Sequence, residues 1–284
     1  MEELQMKGTD LILEFEGLNI SYDDLGIGEV PIIFIHGFPF DKSMWQPQMD
    51  FLVKTNRVIA YDIRGFGQST AGREKESIKV FAEDLIKFMD ALEIPKAIVC
   101  GLSMGGYILL NAVFSDPDRF EAIVLSDTQC IGDSAEVKEK RFTSISQVMA
   151  GGIEEFTQSF VERIFCNLTK NTKSDIVDTI KTSMLATSPQ TITRGLRALA
   201  QRKGMCASLN KIAIPTLILC GMEDLVTPPA QSEYLHQQIE NSSMHLIAQA
   251  GHLSNLEQPD EFNNLIFNFI SDCSKIRKVD LLTN

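Results

Sequence analysis

The chain predicts an α/β fold: a mostly parallel central sheet with helices on both faces and a helical cap inserted into it. Three observations carry that expectation. Short β-branched apolar runs bounded by Gly, Pro and Asp recur at Ile32–Ile35, Val58–Tyr61, Ala97–Cys100, Ala122–Leu125, Thr216–Cys220 and Met244–Ile247. Such runs suit strands buried on both faces, as in a parallel sheet. Amphipathic helical patterns alternate with them, which is the signature of an open α/β sheet. Between about Thr128 and Leu209 the alternation stops, and only helical patterns remain.

Each element has its own warrant. Leu11–Phe15 and Leu18–Tyr22 read as an antiparallel edge hairpin ahead of the first parallel strand. In Ser77–Leu92 the apolar residues Phe81, Leu85, Phe88 and Leu92 share one helix face. The closing helix, Pro259–Ile270, does the same with Phe262, Leu265, Ile266, Phe269 and Ile270, and its proline sits where a first turn needs no N–H. The interrupted stretch contains helical patterns at Ala135–Met149, Ile153–Phe165, Lys173–Met184 and Pro189–Arg202. No flexible linker flanks it. An all-helical insertion there is expected to cover the C-terminal ends of the strands, where open α/β sheets carry their ligand crevice. The chain thus divides into a core of residues 1–127 and 210–284 and a cap of residues 128–209.

Composition excludes several classes. The chain has 284 residues, is 44% apolar, and carries a net charge of −12. That charge argues against a nucleic-acid backbone or an anionic membrane surface as partner, and no basic stripe contradicts it. The start, Met1 to Lys7, is acidic and lacks the apolar core of a signal peptide, and no apolar run approaches spanning length. The six cysteines, Cys100, Cys130, Cys166, Cys206, Cys220 and Cys273, are scattered, with no C-x-x-C pair and no histidine cluster. They read as reduced thiols of a cytoplasmic protein, with no disulfide frame, metal site or cofactor.

The chemistry is concentrated after the third parallel run. Ile98-Val99-Cys100 leads into Gly101-Leu102-Ser103-Met104-Gly105, a G-x-S-x-G pentapeptide, and a helical stretch from Gly106 to Phe114 follows. A strand turning this abruptly into a helix forces Ser103 into a strained conformation and pushes its hydroxyl out of the sheet. The Met104 amide and the positive end of the helix then lie where an oxyanion would develop. A serine hydroxyl needs a base. Of four histidines, His252 follows the last strand in a loop that Gly251 lets turn, which makes it the candidate base. His236 falls in a helical pattern, His245 in a strand, and His36 in the turn His36-Gly37-Phe38-Pro39, where it reads as a brace. The acid that orients the imidazole is expected at Asp224, directly after Thr216–Cys220, with Asp127 after the preceding strand as the weaker alternative. The second oxyanion donor is expected from the amide of Phe38.

From His36-Gly37-Phe38-Pro39, through Asp62-Ile63-Arg64-Gly65-Phe66-Gly67-Gln68-Ser69 and the serine pentapeptide, to Gly251-His252, the chain resembles the α/β-hydrolase superfamily. Within it, Gly101–Gly106, Gly251–Pro259 and the stretch from Arg141 to Gly152 most resemble the 3-oxoadipate enol-lactonase-like and carboxylesterase branch. The resemblance implies a cofactor-free serine hydrolase acting on a small ester or lactone, with Ser103, Asp224 and His252 as triad. It also implies that Asp62 and Arg64 brace loops rather than act chemically. Ser103 counts against the dehalogenase and epoxide hydrolase branches, which place an aspartate there. A C–C bond hydrolase with the same triad, or a triad-bearing protein that senses a hydrophobic ligand, remain as alternatives.

Overall fold

The computed structural model describes residues 7–72 and 75–283. Its eight-stranded sheet is made of β1 (Gly8–Phe15), β2 (Leu18–Leu25), β3 (Ile32–Ile35), β4 (Val58–Tyr61), β5 (Ala97–Leu102), β6 (Phe120–Ser126), β7 (Thr216–Gly221) and β8 (Ser242–Ile247). The spatial order is β1-β2-β4-β3-β5-β6-β7-β8. The β1–β2 hairpin joins the edge antiparallel to β4, and the strands from β4 to β8 run parallel. The order reverses between β4 and β5, with β3 in the middle, so the β3 and β5 ends meet at the sheet's switch point.

Burial explains why these runs became strands. Ile32, Ile33, Phe34 and Ile35 are all fully buried. A pleated strand sends neighbours to opposite faces, and β3 uses both. Phe34 meets Trp45 at 4.8 Å, and Trp45 meets Phe262 of α11 (Pro259–Thr283) at 6.1 Å. Tyr61, in register with Ile35, stacks on Phe88 of α2 (Ile78–Ala91) at 4.9 Å, on the other face. Each such side chain contributes roughly 1.5–3 kcal/mol by leaving water. The same two layers contain α1 (Gln46–Leu52), packed on α11, and α3 (Met104–Ser115), packed on α2. The Ser77 hydroxyl accepts the Val80 amide and starts α2.

Between β6 and β7 lie α4 (Ala135–Met149), α5 (Ile153–Ile164), α6 (Asn167–Thr172), α7 (Ser174–Ala186) and α8 (Pro189–Gln201). Four of these follow the helical periodicity of the sequence; α6 does not, because its six residues, Asn-Leu-Thr-Lys-Asn-Thr, have no apolar face. Ser134 and Ser188 cap α4 and α8 with their hydroxyls, and Pro189 opens α8. After β7 come α9 (Pro229–Gln238) and α10 (Ser254–Glu257). Among the described residues, no helix is long and apolar enough to cross a membrane.

One expectation is overturned. Cys130 and Cys206 are joined by a disulfide, with Cα atoms 5.0 Å apart across 76 residues of sequence. The pair closes the neck of the helical insertion. There the Met205 amide donates to the Cys130 carbonyl at 2.7 Å, and a Cβ on Gly132 would stand 3.1 Å from the Gly204 nitrogen. Spacing along the chain carries no signal for a contact made by two neck segments. The remaining cysteines, Cys100, Cys166, Cys220 and Cys273, are free buried thiols. Cysteine usage therefore no longer argues for a reducing compartment.

Candidate active site

Three strand ends carry the site. Ser103 follows β5 with φ 54° and ψ −110°, a conformation that costs on the order of 1–3 kcal/mol in a residue with a side chain. The surroundings hold it there: its amide donates to the Ser126 carbonyl at 3.0 Å, and its carbonyl accepts the Thr128 hydroxyl at 2.8 Å. The flanking glycines are required by space. A Cβ on Gly101 would lie 2.4 Å from the Gly105 oxygen, and one on Gly105 would lie 2.3 Å from the Ile35 oxygen. That second close approach brings the start of α3 against the end of β3. Met104, the first residue of α3, and Phe38, on the loop after β3, thus lie on adjoining segments. The first-turn amides of a helix have no intrahelical partner, so the Met104 N–H is available to an anion.

His252 comes from the loop after β8 and is almost fully buried. Its Nε2 lies 2.9 Å from Ser103 Oγ, and its Nδ1 lies 2.8 Å from Asp224 Oδ2. Asp224 comes from the loop after β7, buried as well. Its Oδ1 accepts the Val226 and Thr227 amides at 2.7 and 3.0 Å, and its Oδ2 accepts the Thr227 hydroxyl at 2.8 Å. Burial opposes the Asp224 charge, but the facing imidazole and these donors outweigh it and hold the carboxyl below its usual value. Burial likewise works against a charged His252, yet the Asp224 carboxylate overrides it and raises the imidazole above 6.5. The arrangement therefore favours an imidazolium next to a carboxylate, with the serine hydroxyl on the far nitrogen.

The alternative acid makes different contacts. Asp127, in the left-handed region at φ 44°, accepts the Gly221 amide at 2.8 Å and the Ser126 and Ser254 hydroxyls at 2.7 and 2.5 Å. No hydrogen bond joins it to His252 among the described residues. Burial, then the neighbouring Asp224 charge, pushes its carboxyl up to about 7. Glu223 is exposed, as are His236, bonded to Ser242, and His245.

His36 is fully buried: Nδ1 bonds the Gly37 carbonyl at 2.8 Å and Nε2 accepts the Ile63 amide at 3.0 Å. Its pKa is pushed down to about 4, chiefly by burial, which keeps it a neutral brace between the β3 and β4 loops. Asp62 accepts the Lys42 and Gln68 amides, at 2.7 and 2.9 Å, and Arg64 forks onto Asp84 with both contacts at 2.5 Å. Both serve loop geometry.

The helical insertion lies directly on these loops. Gly195 of α8 has no room for a side chain, since a Cβ would stand 2.7 Å from the Phe38 ring. Phe156 and Phe160 of α5 meet Phe38 edge-on at 6.5 and 6.2 Å. Met184 is fully buried, while Phe142, on α4, is 48% exposed. Sequence reasoning missed Thr227, whose hydroxyl donates to Asp224; a threonine three residues after an aspartate in a loop is the available clue.

Asp127, Cys220 and Asp224 bring one ligand atom each within 4.8 Å of one another, the candidate metal group among the described residues. Their donors and acceptors are already committed to protein partners, and burial pushes the Cys220 thiol far up, away from the thiolate a metal prefers.

A parallel sheet with a strained serine elbow, a histidine after the last strand and an acid after β7 defines an α/β-hydrolase. The chain belongs to the alpha/beta hydrolase fold family, whose model matches residues 30–259. It is 31% identical over 261 residues to 3-oxoadipate enol-lactonase 1 of Acinetobacter baylyi, covering 92% of this chain and 96% of that one. In structure it is similar to a thermophilic esterase from Thermogutta terrifontis, with a TM-score of 0.88 and 28% identity over 95% of this chain and 99% of that one. It is also similar to the enol-lactonase from Burkholderia xenovorans, with a TM-score of 0.86 and 26% identity over 92% of this chain and all of that one. Its relatives thus include both lactonases and esterases.

Proposed function

We propose that this protein is a serine hydrolase that cleaves a small-molecule carboxylic ester or lactone through an acyl-enzyme. Ser103 attacks the carbonyl carbon while His252 Nε2 takes its proton, and Asp224 stabilises the imidazolium through Nδ1. The amides of Met104 and Phe38 bind the oxyanion of the tetrahedral intermediate. The imidazolium returns its proton to the leaving alkoxide; in a lactone that alkoxide stays tethered to the acyl group. Water, deprotonated by His252, then attacks the acyl-enzyme and releases the acid. Residues 128–209 act as a cap that closes the pocket and excludes water around the reacting carbonyl.

The observation that carries this reading is the unbroken contact chain from Ser103 Oγ through the imidazole to Asp224, at 2.9 and 2.8 Å, beside the amide-bearing start of α3. The relatives' chemistry adds to it, since enol-lactonases and esterases both cleave an acyl–oxygen bond. The test is a panel of aryl esters and lactones of increasing acyl length, run on the wild type and Ser103→Ala. Many turnovers that vanish in the variant support the proposal. A single slow cycle with retained product would instead mark a ligand-sensing protein.

A further inference from the structure

We propose that Glu257 is a positioning residue that couples the helical insertion to the candidate catalytic base. Glu257 ends α10, five residues after His252, and is fully buried. Its two carboxylate oxygens are divided between two parts of the chain. Oε1 accepts the amide of Gly251, the residue immediately before His252, at 2.7 Å. Oε2 accepts the amide of Cys166, in the turn between α5 and α6, at 2.9 Å. Among the described residues no cationic side chain pairs with this carboxylate.

Three further contacts make the junction a built one. The His252 amide itself donates to the Ile164 carbonyl at 2.7 Å. Lys173, at the start of α7, donates from Nζ to the Glu257 main-chain carbonyl at 2.5 Å. A Cβ on Gly251 would stand 2.8 Å from both the Cys166 nitrogen and the Ile164 oxygen, so the two backbones lie against each other with nothing between them. The base loop therefore takes its register from the insertion as well as from the sheet. A buried carboxylate holding two amides is a firm clamp, because leaving either donor unpaired in the interior is costly.

The clamp also acts through charge. The imidazole is faced by Asp224 from the loop after β7, by Asp127 from the end of β6 and by Glu257 from α10, and each favours its protonated form. Around Glu257 the insertion supplies the Lys173 ammonium and the Cys166 thiol, which bonds the Gln249 carbonyl. Removing the Glu257 charge should therefore lower the pH at which His252 becomes neutral and able to act as base.

This inference rests on the proposed role of His252, so the test reads the serine directly. The rate of covalent labelling by a fluorophosphonate is measured from acid to alkaline pH for the wild type, Glu257→Gln and Glu257→Asp, alongside amide hydrogen exchange. Glutamine keeps the shape but offers one carbonyl oxygen for two amides. The expected result is a plateau rate lowered about tenfold, the scale of one hydrogen bond to a charged group, with the acidic limb moved to lower pH. Exchange at residues 164–167 and 251–253 should rise together. Aspartate keeps the charge but cannot reach both donors, so its plateau should fall while its limb stays in place. If Glu257→Gln does not fold, an unchanged Glu257→Asp plateau overturns the proposal. A folded Glu257→Gln with unaltered plateau and limb leaves only a structural role and also overturns it. A wild type never labelled at Ser103 would sink the triad reading instead, while the exchange data would still report on the clamp.

Discussion

The loops at the strand ends and the part of the helical insertion that covers Phe38 are held in different ways. Around Asp224, Asp127, His36 and Asp62, buried polar atoms meet partners at fixed distances, and most of those partners are backbone amides or carbonyls. Above Phe38 the insertion packs instead through apolar faces: Phe156 and Phe160 against Phe38, Gly195 against the same ring, and Met184 in the interior. Some of its polar ties lie at the neck, where Asp133 takes Arg141 and Arg202, each at 2.5 Å, and where Cys130 meets Cys206. Others lie at the Glu257 junction, and the Ser183 and Thr191 hydroxyls donate to Asp41 and to the Gly65 carbonyl at 2.9 and 2.8 Å. Phe142, Met149 and Leu185 remain exposed on its outside. Directional bonds fix geometry to fractions of an ångström, which proton transfer requires. Apolar packing tolerates changes of shape, which allows selectivity to vary.

The sharpest test of this contrast removes the proposed nucleophile. Ser103→Ala should abolish turnover and fluorophosphonate labelling while leaving the fold intact, because Ser103 Oγ is bonded to His252 rather than packed in the core. Mass spectrometry of the labelled peptide checks it; a label on another residue would end the assignment.

Asp224→Asn comes next, with an expected loss on the order of 10⁴-fold in kcat, the scale known for the same change in a serine protease triad. Asp127→Asn should cost about tenfold or less, since its contacts are to Gly221, Ser126 and Ser254 and not to the imidazole. Because Asp127 faces His252 and raises its pKa, the variant's acidic limb should also move to lower pH. In the wild type kcat/KM should rise as pH climbs past the imidazole pKa, which lies above 6.5. A crippled Asp127→Asn beside a silent Asp224→Asn would reverse the roles of the two loops.

Changes in the insertion should be smaller and of another kind. Phe160→Ala and Phe156→Ala should alter the preference between short and long acyl groups by about 10- to 100-fold while leaving Ser103 labelling intact. Phe142→Ala, at an exposed position, should do neither. Equal preference in all three would reduce the insertion to packing alone.

Opening the neck should touch the chemistry least. Reducing Cys130–Cys206, or replacing both with Ser, releases a 76-residue span and should cost about 4 kcal/mol on a chain-entropy estimate. Urea unfolding measures that cost. The labelling rate of Ser103 in the folded protein should stay within about twofold, because among the described residues the neck shares no hydrogen bond with the His252 loop.

The sequence by itself determined the strands and most of the helices. Each run from Ile32–Ile35 to Thr216–Cys220 is a local pattern whose burial on both sheet faces shows in its composition. Met244–Ile247 differs, since it forms an edge strand that buries Ile247 and leaves His245 and Leu246 exposed. The serine elbow was legible for the same reason, since its two glycines answer a close approach made within a few residues. The histidine and the two candidate acids could be named from their places after strands. Only the tertiary structure decided which acid hydrogen-bonds the imidazole, because Asp127 and Asp224 end adjacent parallel strands and differ in what the next loop brings to them. It alone decided that Cys130 meets Cys206, a contact set where the insertion leaves and rejoins the sheet. It also decided that Glu257, within a motif legible as a stretch of sequence, divides its oxygens between the base loop and the insertion. Such contacts join residues far apart in the chain, and no local period or spacing records them.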